Sequence, residues 1–166
     1  MKRLFVLLAL LSTVAASSAA APAEQTASGL PLPRFVSLRA DEVNMRTGPG
    51  VRYPIEWVFA RKGLPVQITA EFEAWRRIRD SAGTTGWVHR SMLSGKRTVA
   101  TNGDADRLYR EARASAPVAA YVEAGIIADL LGCEDEWCHV AVASHGVDGW
   151  IERRGLWGVL PDEAAR

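Results

Sequence analysis

The stretch NMRTGPG at residues 44–50 decides the fold of this 166-residue chain. Its Gly-Pro-Gly run predicts a tight turn, because proline presets φ and glycine accepts backbone angles that other residues avoid. The apolar runs around it are short, rich in β-branched and aromatic residues, and bounded by turn-forming residues, which is typical of closely spaced strands. Six strands are predicted in this half of the chain, at Val36–Leu38, Val43–Met45, Trp57–Phe59, Val66–Ile68, Trp75–Arg79 and Trp87–Val88. The fold class indicated is all-β.

The chain also contains an internal repeat. Three features recur at an offset of 62 or 63 residues: Trp75 as Trp137, Gly63 as Gly125, and the Gly-Trp-Val of residues 86–88 as the Gly-Trp-Ile of residues 149–151. Self-similarity at a fixed spacing indicates tandem copies of one structural unit. We therefore divide the sequence into unit one, residues 34–97, and unit two, residues 99–160.

The motif NxRxGPG, followed in order by Tyr53-Pro54, Gly63, Trp75 and Gly-Trp-Val, resembles the bacterial SH3 domain, SH3b. Unit two resembles a degenerate copy, because residues 109–112 are Tyr-Arg-Glu-Ala where unit one has its Gly-Pro-Gly run. The pair is similar to exported tandem SH3-like proteins of proteobacteria. This resemblance implies two tandem small SH3-like β-barrels with a binding or targeting role rather than a catalytic one.

Residues 1–20 have the organisation of a secretory signal peptide. Lys2 and Arg3 precede an apolar run over residues 4–11, and small residues follow. The run is shorter than the roughly 20 residues of a spanning helix, which disfavours an uncleaved anchor. Residues 21–33, rich in Ala, Pro and Ser, predict a flexible leader. We expect an exported protein, periplasmic or secreted, with no stable membrane anchor after cleavage and no nucleic-acid partner.

The two cysteines, Cys133 and Cys138, flank a predicted hairpin turn. Side chains that face each other across adjacent strands lie close enough for a disulfide, and an oxidising compartment favours one. A zinc site formed with His139 and His145 is the alternative. Because His139 falls on the opposite strand face from Cys138, and because no C-x-x-C spacing occurs, we predict the disulfide and no metal site.

The sequence shows no recognisable catalytic machinery. It contains no G-x-S-x-G, H-E-x-x-H or P-loop motif. A cysteine hydrolase needs a thiolate with a histidine in reach, whereas both cysteines belong to the repeat and leave no residues for a papain-like domain. We predict that the protein is not an enzyme and needs no cofactor.

The strand at residues 75–79 predicts a binding face. If Ile78 points inward, period-two alternation places Trp75, Arg77 and Arg79 on the outer face, and Trp87 on the next strand joins them. Aromatic rings and arginines together suit a peptide or sugar with carboxylates. With three residues of the SH3b-like motif, the candidate ligand-binding residues are Asn44, Arg46, Tyr53, Trp75, Arg77, Arg79 and Trp87.

A simpler alternative is that the tryptophan rings only cap a thin barrel. This interpretation is favoured for the four tryptophans outside the predicted face, Trp57, Trp137, Trp150 and Trp157. His89, alone at the end of a strand, is expected to be a surface residue without a role. Under this alternative the outer face of unit one would stabilise the fold rather than bind a ligand.

Charge separates the two units, although the whole chain has a net charge of only +1. Unit one contains 12 bases and six acids, whereas residues 99–166 contain six bases and 12 acids. A basic unit can attract an anionic wall polymer, the carboxylates of peptidoglycan peptides or an acidic protein surface. The sequence therefore predicts a cell-envelope protein that binds peptidoglycan or a peptide through unit one. The alternative is an interaction or assembly module for an envelope enzyme, and packing of the two units through these charges also stays open.

Overall fold

The computed structural model describes residues 26–163, and its regular structure consists of β-strands and single-turn 3-10 helices. The predicted signal peptide, residues 1–20, and residues 21–25 of the predicted leader lie outside the described residues. Between residues 26 and 163, no helix has the length and apolar character needed to cross a membrane. The all-β prediction is confirmed.

Each unit contributes seven strands. In unit one they are β1 (Arg34–Leu38), β2 (Val43–Arg46), β3 (Ile55–Phe59), β4 (Pro65–Phe72), β5 (Trp75–Arg79), β6 (Thr85–His89) and β7 (Leu93–Ser94). In unit two they are β8 (Thr98–Thr101), β9 (Arg107–Tyr109), β10 (Val118–Tyr121), β11 (Ile127–Glu134), β12 (Trp137–Val142), β13 (Val147–Glu152) and β14 (Leu156–Trp157). The 3-10 helices are Arg90–Met92, Ala143–His145 and Arg153–Gly155.

The two sheets have the same topology. The first has the strand order β3-β2-β6-β5-β4-β1-β7 and the second the order β10-β9-β13-β12-β11-β8-β14. All six strands predicted in unit one are present at the predicted positions. The structure therefore confirms the tandem repeat, with strand β8 beginning one residue before the predicted start of unit two.

Strict alternation of side chains sorts unit one into a core and an outer face. Val66, Ile78 and Val88, from three different strands, are fully buried in one apolar cluster. On β5, Ile78 points inward, whereas Trp75 is half-buried and Arg77 is exposed. The predicted faces of β5 and β6 are confirmed, because only a period of two keeps one side of each strand in the core.

The two long hairpins, β4–β5 and β11–β12, are stabilised differently at the same position. In unit two, Cys133 pairs with Cys138 across the hairpin and their sulfurs form the predicted disulfide, with Cα atoms 4.0 Å apart. In unit one, the residues in this register are Glu71 and Arg76. Their side chains form an ion pair, with Arg76 Nε 3.1 Å from Glu71 Oε1. A buried ion pair in unit one thus occupies the place of the disulfide in unit two.

Part of the predicted leader contacts this ion pair. The backbone N–H of Ser28 donates to Glu71 Oε2 at 2.7 Å, and the Ser28 hydroxyl donates to Oε1 at 2.8 Å. Arg34, the first residue of β1, adds a second guanidinium 2.5 Å from Oε1. Four donor groups from three separate segments therefore converge on the carboxylate of Glu71.

Reduction of the disulfide is expected to lower the free energy of unfolding by about 2 kcal/mol, because it releases a short closed loop in the unfolded chain. Urea unfolding with and without a phosphine reductant measures the effect. The double variant Cys133→Ala with Cys138→Ala is the control and should not respond to the reductant. An unchanged unfolding midpoint of the reduced wild-type protein would contradict a stabilising role.

Contacts from unit two extend onto unit one along β14. The Trp157 indole N–H donates to the Pro65 carbonyl at 3.0 Å, and its ring meets the Phe35 ring edge-on at 5.0 Å between centroids. The Thr98 hydroxyl donates to the Gly63 carbonyl at 2.7 Å. The units therefore pack through an aromatic contact and backbone hydrogen bonds as well as through charges.

Candidate functional site

A cleft of about 330 Å³ opens on the outer face of unit one. It lies between the end of β6, strand β2 and the loop that follows the NMRTGPG motif. Its lining residues are Glu42, Asn44, Arg46, Val51, Trp75, His89, Ser91 and Met92. Three of the seven predicted ligand-binding residues, Asn44, Arg46 and Trp75, are therefore together in one cleft, which we call the Trp75 cleft.

Trp75 and His89 form one wall of the Trp75 cleft. They are cross-strand neighbours on β5 and β6, and their rings meet edge-on with centroids 5.4 Å apart. His89 Nδ1 lies 2.7 Å from the Ser91 hydroxyl and also accepts the Ser91 backbone N–H, which begins the 3-10 helix at residues 90–92. The imidazole therefore holds a fixed orientation beside the indole. The expectation that His89 is a surface residue without a place in the site was wrong.

The opposite wall is the loop at residues 47–54, which Arg46 holds in place. Arg46 Nη1 donates to the Tyr53 carbonyl at 2.8 Å and to the Val51 carbonyl at 3.2 Å. The Tyr53 ring packs directly on Gly48, where a Cβ atom would lie 2.5 Å from a ring carbon. Glycine is therefore required at position 48. In this structure Arg46 organises the cleft wall, and Tyr53 shapes the loop from outside the lining set.

Arg77 and Trp87 lie next to the cleft on the same outer face. Trp87 of β6 is opposite Arg46 of β2 on one side and opposite Arg77 of β5 on the other. Arg77 is exposed and Trp87 is half-buried. The three side chains form a row across the sheet that adds positive charge beside the cleft.

Arg79 belongs to a different part of the molecule. Its Nη2 donates to Gln67 Oε1 at 2.7 Å, and its guanidinium carbon lies 5.7 Å from the Trp157 ring centroid. The side chain therefore contacts unit two and does not line the Trp75 cleft. The prediction that it shares a binding rim with Arg77 followed from strand alternation alone, and a contact from a distant strand sets its actual place.

Unit two has a filled counterpart of the Trp75 cleft. Tyr109 takes the place of Arg46, since it pairs with Trp150 as Arg46 pairs with Trp87. Its ring meets Trp137, the repeat of Trp75, edge-on at 5.5 Å. Trp137 therefore packs against a neighbour from its own unit, whereas Trp75 faces open space.

The second outer aromatic of unit two is also covered. His139 stacks on Trp150, with ring centroids 5.0 Å apart and planes 13° from parallel. His139 Nε2 lies 2.9 Å from Asp148 Oδ2. Because Cys133 and Cys138 are joined to each other, neither sulfur remains as a thiolate ligand for the zinc site considered from the sequence.

Trp57 has a different environment from the other tryptophans. It lies on β3, at the edge of the sheet, and its side chain is 55% exposed. The neighbouring Ile55 and Val58 are also exposed. The expectation that Trp57 caps the barrel was therefore wrong, because an edge strand has no neighbour to cover it.

Similarity to known proteins supports the repeat and its fold. No curated protein matches significantly. Among solved structures, NlpC1 from Trichomonas vaginalis is similar at a TM-score of 0.36 and 14% identity, over 79% of this chain and 48% of that one. NlpC2 from the same organism is similar at a TM-score of 0.35 and 14% identity, over 75% and 48% of the two chains. The chain thus spans about half the length of these two proteins.

The family comparison covers most of both units. The bacterial SH3 domain family matches residues 39–95 and again residues 104–158. The first match begins after β1 and ends after β7, and the second contains strands β9 to β14. Together they include the motif at residues 44–50, the Trp75 cleft and its filled counterpart. The chain belongs to the bacterial SH3 domain family, as a tandem pair of such domains.

Proposed function

We propose that this chain is an exported, non-catalytic protein of the bacterial cell envelope that binds a peptide of the cell wall in the Trp75 cleft. Bacterial SH3 domains are in general cell-wall binding. The signal-peptide features of residues 1–20 support export to the periplasm or beyond. The joined cysteines and the lack of catalytic motifs support a binding role without catalysis.

The observation that carries this proposal is the contrast between the two units. Both repeats keep the tryptophan of the long hairpin, but Tyr109 packs against it in unit two whereas the space beside Trp75 is open. An aromatic ring at the wall of a cleft offers apolar area that a ligand can cover. Unit one is therefore the binding unit, and unit two supports it.

The side chains around the Trp75 cleft suit a short peptide that carries charges of both signs. Trp75 and Met92 supply apolar surface, and Asn44 and Ser91 supply hydrogen-bonding groups. Glu42 can accept from an ammonium group, and the exposed Arg77 beside the cleft can pair with a carboxylate. Peptidoglycan stem peptides combine these groups, since they contain free carboxylates and diamino acids.

Sedimentation with purified peptidoglycan tests the proposal. The wild-type chain is expected to pellet at low salt, and Trp75→Ala is expected to weaken binding at least about tenfold because it removes the central apolar contact. Arg77→Ala should weaken pelleting less and should reduce its salt dependence. A wild-type protein that stays in the supernatant at low salt would end the wall-binding hypothesis.

The repeat offers a matched control for this experiment. Trp137→Ala makes the same substitution at the equivalent position of unit two, where Tyr109 already fills the space. It is expected to pellet as the wild type does. If Trp137→Ala loses binding as fully as Trp75→Ala, the open cleft of unit one is not the binding site.

The exposed edge of unit one favours a second candidate function, as an interaction or assembly module for an envelope enzyme. Strand β3 presents Ile55, Trp57 and Val58 at 45–55% exposure on an edge whose outer backbone groups face no strand. Such an edge can accept an extended segment of another protein. Because this function needs a protein partner, it predicts no pelleting with purified peptidoglycan alone.

A further inference from the structure

A second cleft, of about 490 Å³, lies at the junction of the two units. Four basic residues and one acidic residue line it, together with hydroxyl-bearing and small residues. The charged residues are Arg39, Arg61, Lys62, Lys96 and Asp129. It shares no lining residue with the Trp75 cleft, and we call it the junction cleft.

Backbone hydrogen bonds bring two of these bases together from separate loops. The N–H of Gly63 donates to the Leu38 carbonyl at 2.9 Å, and the N–H of Leu38 donates to the Leu64 carbonyl at 3.0 Å. These bonds fix the turn that carries Lys62 against the end of β1, where Arg39 follows. The two positions are therefore held side by side at the cleft.

The other two bases connect unit one to unit two across the cleft. Arg61 Nη1 donates to the Gly125 carbonyl at 3.0 Å. Lys96 Nζ lies 2.7 Å from Asp129 Oδ1. Asp129 is the one carboxylate that lines the cleft, and it pairs with Lys96. Arg39, Arg61 and Lys62 thus have no acidic counterpart among the lining residues.

The fold does not require bases at these positions, as unit two shows. Its equivalent turn has the same hydrogen bond, from Gly125 N–H to the Thr101 carbonyl at 2.7 Å. Where unit one has Arg61 and Lys62, unit two has Glu123 and Ala124. The turn therefore forms equally well without positive charge, and the cluster needs another explanation.

We propose that the junction cleft binds a phosphate group. Three cations around one concave site repel each other, and low-dielectric walls focus their field on whatever occupies it. A phosphate monoester has a charge of about −1.5 to −2 at pH 7 and three strong acceptor oxygens. It can accept from a guanidinium fork and an ammonium at once, whereas a carboxylate has one charge and two oxygens. A phosphate bound there contacts residues of both units.

Isothermal titration of the full chain with inorganic pyrophosphate at low salt tests the assignment. We expect one site per chain, and we expect affinity to fall at least about tenfold in the double variant Arg39→Gln with Lys62→Gln, which removes two charge-assisted contacts. Lys62→Gln alone should weaken binding while leaving the hydrogen bond of Gly63 intact. Circular dichroism of each variant checks that the strands persist.

Arg110→Gln is the matched control, because it removes one positive charge from an exposed position of unit two outside the cleft. It is expected to bind pyrophosphate as the wild type does. No binding to the wild type, or an equal loss in Arg110→Gln, would overturn the proposal. A glycerol-phosphate oligomer is the second probe: tighter binding than pyrophosphate identifies a phosphate-containing polymer as the source, and weaker binding identifies a small free phosphate.

Discussion

Replacing Glu71 by Gln is expected to lower the free energy of unfolding by about 3–5 kcal/mol, because it leaves buried cations without their counter-charge. The Glu71 side chain is 1% exposed and that of Arg76 is 7% exposed. Glu71 also receives Arg34 and Ser28, so one substitution weakens contacts from three segments. Urea unfolding at pH 7, monitored by tryptophan fluorescence, measures the loss.

The contribution of Glu71 should depend on pH. Burial by itself raises the pKa of the Glu71 carboxyl, but hydrogen bonds from Arg34 and Ser28 and the charge of Arg34 outweigh it, so the pKa lies below its usual range. A carboxyl whose pKa is lower in the folded state stabilises the fold above its unfolded pKa of about 4.3. That stabilisation is lost as pH falls through the folded pKa. The difference between wild type and Glu71→Gln is therefore expected to shrink as pH is lowered from 5 toward 2.

Glu73→Gln provides the control for both measurements. It removes the same charge from the same hairpin, at an exposed turn position. We expect it to change stability by less than about 0.5 kcal/mol at any of these pH values. A Glu71→Gln variant that unfolds with the same midpoint as Glu73→Gln would show that the buried ion pair does not stabilise unit one.

Local patterns in the sequence predicted most of the fold. Alternation placed Ile78 inside and Trp75 outside because each strand of a half-buried sheet must keep one face in the core. The offset of 62 residues predicted two equivalent hairpins, and with them the pairing of Cys133 and Cys138. Strands β7 and β14 were not predicted, because two residues are too few to show a period.

The parts of the site that sequence reasoning missed depend on contacts between distant segments. Arg79 leaves the predicted rim because Trp157, 78 residues later, lies beside it. Tyr109 fills the cleft of unit two because of its ring size, which no hydrophobic period records. The place of His89 could have been predicted, since alternation sets it on the outer face of β6 with Trp87.

Replacing Trp157 by Ala is expected to have the second large effect, a loss of about 3–5 kcal/mol from the contact between the units. The substitution removes the edge-on packing on Phe35, the cation–π contact of Arg79 and the hydrogen bond to the Pro65 carbonyl. Without these contacts, the two units should unfold in two separate calorimetric transitions instead of one. Differential scanning calorimetry of the full chain distinguishes the two outcomes.

Two further substitutions show whether the effect arises at the junction. Trp57→Ala removes an equally large side chain from the exposed edge strand, so we expect a change of less than about 1 kcal/mol and one transition. Trp157→Phe keeps a ring and loses only the indole hydrogen bond, which contributes about 1 kcal/mol. A single unshifted transition in Trp157→Ala would contradict a coupling role. Because both units line the junction cleft and unit one alone lines the Trp75 cleft, Trp157→Ala should weaken pyrophosphate binding and leave peptidoglycan pelleting unchanged.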